Sequence, residues 1–364
     1  MFRSFTSWGA CFALFVSGLA QAAEPPTHKT PISEVQLNRD HLRVHFIDVS
    51  GGLAMLVQTP DDGVRMFIDG GISGLDDMIR YVKHFVPTSK PINIAIVTHA
   101  DSDHYYGMFK IFKTYDVEQF WNTGYTSPPI ERPNSKWQAM LSAVRSEEDC
   151  KVYMPISDWV SPGDLEIIDD RGTTTAKDDI CVRYLNVDAQ PPKNDPKTNR
   201  RYREAEQRNN ASLVFRLVFG DVSFLITGDI NGRPLKLQNP VPDEFVESEE
   251  ADMLDMMKLL PEKCSLKSTV LQVAHHGSEG ASALPFLEAV DPEWAVIPAG
   301  EAHEHPHEGS IKRLKRVGVK PDHILRTDEG DQPGRGDEPP ADDSFIFETD
   351  GRTITKVWWV EMEE

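Results

Sequence analysis

The sequence is short of basic charge and, beyond its N-terminus, has no long apolar run. It carries 38 Lys and Arg against 58 Asp and Glu in 364 residues, a formal net charge of −20. This charge opposes unaided binding to long nucleic acids, whose phosphates require a basic surface. Because a membrane-spanning helix needs about 20 consecutive apolar residues, we expect no stable membrane insertion of the mature chain.

Cysteine is also scarce, with four residues in the whole chain. Cys11 lies in the N-terminal apolar stretch, which leaves Cys150, Cys181 and Cys264. Three cysteines allow at most one disulfide, and their wide spacing excludes a zinc knuckle. We expect them to be structural and to have no catalytic role.

The N-terminus has the layout of a secretory signal peptide. Arg3 precedes an apolar stretch, and Ala20-Gln21-Ala22 gives an A-x-A cleavage pattern. The alternative is a membrane anchor, but the apolar stretch is short for a bilayer. We therefore predict a signal peptide over residues 1–23, a polar leader over 24–40, and a periplasmic or secreted mature protein.

Residues 41–364 are predicted to form one α/β domain. Short apolar runs at 42–49, 53–58 and 64–71, separated by turn residues, predict strands. Helical spacing follows from Leu75 to Phe85, and 92–97 reads as a buried strand. Insertions are expected near 125–207, most of it loop apart from a helix near 135–146, and near 231–266.

Residues that bind metal ions follow several of these strands directly. Because loops at strand ends meet on one edge of a layered sheet, we expect these residues to lie together and to hold divalent cations. Asp48 and Asp69 also end strands, although Asp before Gly is equally common in turns. The principal clusters are His99, Asp101, Asp103 and His104; Asp229; and His275 with His276.

The order of these motifs resembles the metallo-β-lactamase superfamily, and in particular its ComEC-like branch. The motifs are His99-x-Asp101-x-Asp103-His104, Thr227-Gly228-Asp229 and His275-His276-Gly277-Ser278. The resemblance covers residues 41–320. It implies a four-layer αββα sandwich with a metal site on one edge, in a stand-alone exported domain that has no channel.

The resemblance also implies a ligand set for two divalent metal ions, zinc or manganese. His99 and Asp101 would bind one ion and Asp103, His104 and His276 the other, with Asp229 between them. His275 remains an alternative to His276. Asn210 stands where many relatives have a further His. Asp101 replaces the usual second His, and a carboxylate favours harder cations such as Mn²⁺ without excluding Zn²⁺.

A second histidine cluster, His303-Glu304-His305-Pro306-His307, follows later in the chain. The family often has His-Pro-His at this place. We therefore predict that His305 or His307 contacts the substrate or donates a proton, in a catalytic set with Asp103. The alternative is a solvated polar loop.

Together these features predict a metallo-hydrolase that uses a metal-bound hydroxide on a phosphoester or phosphodiester, either a small molecule or a nucleic acid. A β-lactam or other acyl hydrolase is the alternative enzyme, and an exported non-catalytic scaffold is the alternative without chemistry. The basic stretch 193–208 is either a solvated loop or a guide for an anionic substrate. No protein partner follows from the sequence.

Overall fold

The structure is a computed structural model that describes residues 23–125, 135–172, 178–234, 241–300, 304–329 and 343–363. All but the last residue of the predicted signal peptide lies outside the described residues. Within the described ranges, no helix is both long and apolar enough to cross a membrane.

The first sheet has nine strands from both ends of the described chain. Their order across the sheet is β1-β16-β15-β2-β3-β4-β5-β6-β7, and the strands from β4 to β7 are parallel. The bounds are β1 Thr30–Pro31, β2 Leu42–Phe46, β3 Met55–Gln58, β4 Arg65–Ile68, β5 Ile94–Ile96, β6 Gln119–Trp121, β7 Lys151–Tyr153, β15 Ser344–Thr349 and β16 Ile354–Glu361.

The second sheet has seven strands from the later part of the chain. Their order is β14-β13-β12-β11-β10-β9-β8, with antiparallel pairing from β8 to β11 and parallel pairing from β11 to β14. The bounds are β8 Leu165–Asp169, β9 Ile180–Asn186, β10 Val214–Phe219, β11 Val222–Ile226, β12 Val270–Gln272, β13 Trp294–Ile297 and β14 Ile324–Arg326.

The two sheets pack face to face, and helices cover their outer faces. Alternate residues of each strand point to opposite faces, so Met66 enters the core between the sheets while Phe67 packs against the helices. On the second sheet, Phe224 likewise enters the core between the sheets, while Leu225 packs against the helices. The helices are α1 Leu75–Phe85, α2 Ser102–Tyr105, α3 Met108–Thr114, α4 Ser135–Ser146, α5 Glu204–Asn210, α6 Ser248–Leu259, α7 Leu284–Val290 and α8 Glu308–Arg316.

This arrangement confirms the αββα sandwich. Side chains of α1, α3 and α4 pack on the first sheet, and those of α6, α7 and α8 pack on the second. The helix expected near 135–146 has those bounds as α4. The stretch 125–207, expected to be mostly loop, differs from the structure, because it contains β7, β8, β9 and the start of α5.

The three cysteines that the structure describes, Cys150, Cys181 and Cys264, are all free thiols. Burial raises the pKa of each of them, which disfavours the reactive thiolate. No pair forms the one disulfide that the sequence allowed.

Candidate metal centre

The candidate centre lies where the carboxyl ends of β4 and β5 in the first sheet meet those of β11 and β12 in the second. Parallel neighbours place their following loops on the same edge, so Asp69 and His99 come together, as do Asp229 and His276. Asp101 begins α2 in an extended conformation, and the short helix then carries Asp103 and His104 inward.

Four side chains form a compact group at this edge. One ligand atom from each of Asp103, His104, Asp229 and His276 lies within 4.8 Å of the others. His104 Nε2 is 3.2 Å from Asp229 Oδ1, and His276 Nε2 is 3.1 Å from Asp229 Oδ2. Asp103 Oδ2 lies 3.5 Å from His276 Nε2. The sequence pattern named all four residues.

Asp69 fixes the orientation of His104. Its Oδ2 lies 2.7 Å from His104 Nδ1 and accepts a hydrogen bond from the hydroxyl of Thr98. Its Oδ1 accepts a hydrogen bond from the backbone N–H of Thr98. A proton on His104 Nδ1 leaves the Nε2 lone pair facing the cluster, the arrangement common behind metal-binding histidines. The sequence had left Asp69 open between a residue of the metal cluster and an ordinary turn residue, and it had not predicted a role behind His104.

The two adjacent histidines after β12 have different surroundings. His276 Nδ1 donates to the carbonyl of Pro298 at 2.7 Å, which turns Nε2 towards Asp229. His275 instead lies beside Asn209 and Asn231, at 3.4 Å and 3.3 Å. Both histidines have positive φ, of 50° and 54°, a strained conformation that persists mainly at functional sites.

His99 and Asp101 lie on the other side of Asp229. His99 Nε2 is 3.8 Å from Asp101 Oδ2 and 4.0 Å from Asp229 Oδ2. Asp101 forms an ion pair through Oδ1 with Nε of Arg208. Arg208 did not stand out in the sequence, because it ends a stretch of basic residues that reads as a solvated loop.

The two asparagines after Arg208 have separate contacts. Asn209, with its amide turned so that nitrogen faces Asp101, donates to Asp101 Oδ2 at 3.1 Å. Asn210 Oδ1, the atom that would bind a metal ion, accepts a hydrogen bond of 2.6 Å from Asn231. The sequence singled out Asn210 as a candidate metal ligand. In the structure it is Asn209 that contacts a carboxylate of the centre, through Asp101 Oδ2.

His305 and His307 reach the rim of the centre. The ring of His305 stacks on that of His276, with centroids 6.0 Å apart and an angle of 25°. His307 Nδ1 accepts the backbone N–H of Glu279 at 2.9 Å, which fixes the ring. Burial lowers the pKa of His305 to about 3, so this imidazole is neutral at pH 7.

The carboxylates of the cluster stabilise the protonated, positively charged forms of the histidines beside them. Burial disfavours imidazolium, but Asp229 and Asp103 outweigh burial and raise the pKa of His276 to about 10. Asp229 and Asp69 likewise raise the pKa of His104 against burial. Burial raises the pKa of Asp229, but His104 and His276 hold it well below its usual range. A bound divalent cation would neutralise the same carboxylates in place of these protons.

The donor set fits a divalent metal ion. Two imidazole nitrogens with lone pairs aimed inward and two carboxylates match the ligands of zinc and manganese. Among the described residues, the buried atom His99 Nε2 has no hydrogen-bond partner. Unpaired buried polar atoms are costly unless they bind something, and a cation removes this cost.

Comparison with known proteins agrees with this geometry. Residues 47–188 match the family model of the metallo-beta-lactamase superfamily. Over 304 residues the chain is 26% identical to ComE operon protein 3 of Bacillus subtilis, covering 79% of this chain and 32% of that protein. Over 122 residues it is 33% identical to Competence protein ComA of Neisseria gonorrhoeae, covering 33% of this chain and 14% of that protein.

The chain therefore spans at most about a third of the length of these curated relatives. Among solved structures, it is similar to the metallo-beta-lactamase fold protein YhfI from Bacillus subtilis. That match has 12% identity and a TM-score of 0.43, and it covers 79% of this chain and 96% of that chain.

Proposed function

We propose that this chain, whose residues 47–188 match the metallo-beta-lactamase superfamily model, hydrolyses phosphoesters or phosphodiesters with the help of zinc or manganese. The observation that supports this proposal best is the four-donor group of Asp103, His104, Asp229 and His276. A bound divalent cation supplies a Lewis acid that lowers the pKa of water and neutralises charge developing on the scissile group.

The residues of the chain have distinct roles in this proposal. The four donors hold the catalytic ion, and Asp69 and Pro298 fix the two imidazoles through their Nδ1 atoms. Asp103 is the only one of the four that is not buried, so it lies on the side from which substrate arrives. His305 and His307 lie at the rim, where they contact the substrate or move a proton.

The resemblance predicts a second divalent ion on the other side of Asp229. His99 and Asp101 are its predicted ligands, with Asn210 as the third candidate. Of these three, His99 is the one whose metal-binding atom has no hydrogen-bond partner in the described residues. The proposed activity therefore depends only on the ion in the four-donor group.

The phosphoester substrate is favoured over an acyl substrate by the oxygen-rich donors. Three carboxylates, Asp101, Asp103 and Asp229, lie in or beside the cluster, and such donors suit the harder cations that serve phosphoryl chemistry. The net charge of −20 favours a small substrate or a short nucleic-acid strand over a long duplex.

The first test is turnover of bis(p-nitrophenyl) phosphate by chelated protein, before and after Mn²⁺ or Zn²⁺ is added. We expect the metal to restore turnover in the wild type and in Asp76→Ala, whose side chain is exposed. Asp103→Ala should remain inactive. Folded protein that turns over nitrocefin but no phosphoester would move the assignment to an acyl hydrolase, and no turnover of either would favour a scaffold.

Export completes the proposal, because the N-terminal pattern resembles a cleavable signal peptide. We propose a periplasmic or secreted location for the mature protein. Fractionation of expressing cells, with N-terminal sequencing of the mature chain, tests this. Cytoplasmic protein that still begins at Met1 would contradict it.

A further inference from the structure

Asp101 is the carboxylate that the resemblance gives to the second metal ion, yet both of its oxygens already have donors. Oδ1 forms an ion pair with Nε of Arg208, and Oδ2 accepts a hydrogen bond of 3.1 Å from Asn209. The two donors are consecutive residues in the last turn of α5, so one helix end holds the whole carboxylate. A metal ion that binds Asp101 must therefore share its oxygens with these two donors.

The other predicted ligands of the second ion are a weak set without Asp101. His99 Nε2 is free to bind, but Asp229 Oδ2 is 4.0 Å away and is shared with His276 at 3.1 Å. Asn210 Oδ1 is already held by Asn231. In the four-donor group, by contrast, no arginine or lysine pairs with Asp103 or Asp229 in the described residues.

The charges around Asp101 also disfavour a second metal ion there. Asp101, Asp103 and Asp229 together carry three negative charges. The guanidinium of Arg208 already neutralises part of this charge beside Asp101. A second divalent ion at Asp101 would add positive charge next to that guanidinium. Like charges at such short range repel, so the guanidinium and a second ion compete for Asp101.

The contact between Arg208 and Asp101 is more than an incidental surface ion pair. Both side chains are about one quarter exposed, at 24% and 25%. Arg208 also faces Glu204 one helical turn earlier, but at 3.6 Å and with Glu204 57% exposed. The more buried and closer partner dominates, because solvent screens exposed pairs.

We infer that the guanidinium of Arg208 takes the place of the second metal ion, so that this chain binds one divalent ion and supplies the other positive charge itself. This rests on the proposed function only for the ion in the four-donor group. Arg208 is then a positioning residue that holds Asp101 and keeps the second position free of metal.

The test is the metal stoichiometry of chelated, folded protein, measured by equilibrium titration with Mn²⁺ or Zn²⁺ and by elemental analysis. We expect one ion per chain in the wild type and two in Arg208→Met, because Asp101 is then released to join His99 and Asp229. The double variant Arg208→Met/Asp101→Asn should return to one. Arg203→Met is the matched control, since Arg203 immediately precedes the same helix but pairs with Glu206, and it should bind one ion.

Two ions in the wild type would overturn the inference, as would a single ion in Arg208→Met. Circular dichroism of each variant confirms that folded protein is compared, and Arg208→Lys, which keeps the charge, should still bind one ion. The result is separate from the proposed activity. One ion in the wild type and two in Arg208→Met would support the inference even if no phosphoester were hydrolysed.

Discussion

At the scale of single residues, the adjacent histidines His275 and His276 are chemically alike but differ in what surrounds them. The Nδ1 of His276 is held by a backbone carbonyl, and its Nε2 lies between Asp103 and Asp229. Burial lowers the pKa of His275 to about 4, and this ring contacts asparagine amides. Sequence spacing treats the two as equivalent, whereas hydrogen bonding distinguishes them.

We therefore predict that His276→Ala loses the tightly bound ion and that His275→Ala keeps it. Removing a direct ligand abolishes one metal bond, whereas removing a neighbouring residue typically costs about 10- to 100-fold in affinity. Metal content after dialysis, followed by a competitive titration with a chelating dye, measures both effects. Loss of the ion from His275→Ala alone would reverse the assignment.

At the scale of elements, the loop after β2 approaches α2 so closely that a side chain at Gly52 has no space. A Cβ there would lie 1.9 Å from the carbonyl oxygen of Asp103, and φ is +92°. The backbone N–H of Leu53 donates to the same carbonyl. This loop therefore positions the residue that carries a metal ligand.

We predict that Gly52→Ala destabilises the fold and weakens metal binding. Gly318→Ala is the matched control, because Gly318 has a similar φ of +99° but nothing within 4 Å of its Cβ. Backbone strain should cost both variants about 1 kcal/mol, and the clash should add about 1–3 kcal/mol to Gly52→Ala alone. Urea unfolding and metal titration measure the difference. Equal losses in the two variants would argue against the contact.

A buried carboxyl links the helices on the second sheet. Glu250 of α6 accepts hydrogen bonds from the backbone N–H groups of Ser282 and Ala283, at 2.5 Å and 2.8 Å, where α7 begins. Burial raises the pKa of Glu250 from its usual 4.5 to about 7. Between these two values the folded chain holds a proton that the unfolded chain has released.

The free energy of unfolding should therefore fall as pH rises from about 4.5 to about 7, by up to about 3 kcal/mol from this residue. We predict that Glu250→Gln has a flatter profile, so that its deficit relative to the wild type narrows as pH rises through this window. Urea unfolding at a series of pH values measures this. Glu249 is unchanged in both proteins, so parallel profiles would mean that Glu250 does not titrate there.

How far the sequence predicted these elements depended on burial. Strands that are almost continuous apolar runs, such as β4 and β11, were predictable because both of their faces are buried. β8 lies at the edge of its sheet and exposes Leu165 and Ile167, so its pattern lacked that signal. Arg208 was missed for another reason. Its partner Asp101 is 107 residues away, and no local pattern reveals such a pairing.

At the scale of the whole molecule, the chain has a net charge of −20, but a basic stretch, residues 193–208, runs up to the metal centre. The basic stretch 193–208 is largely neutralised within the chain. Arg200 pairs with Glu206 and Glu247, Arg203 with Glu206, and Lys197 with Asp255. Its last residue, Arg208, turns to the centre instead. These pairs favour an internal role for the stretch over a free basic guide for an anionic polymer.

The centre also connects the two halves of the sandwich, because Asp103 and His104 follow a strand of the first sheet while Asp229 and His276 follow strands of the second. A bound ion therefore links the two sheets, and unfolding must release it.

We predict that Mn²⁺ or Zn²⁺ at about 100 times its dissociation constant stabilises the fold by about 2.7 kcal/mol. That gain corresponds to a rise of roughly 4 °C in melting temperature. Calorimetry with and without a chelator measures it. Asp103→Ala and His276→Ala should show almost none of the rise, and an equal rise in these variants would place the stabilising ion elsewhere.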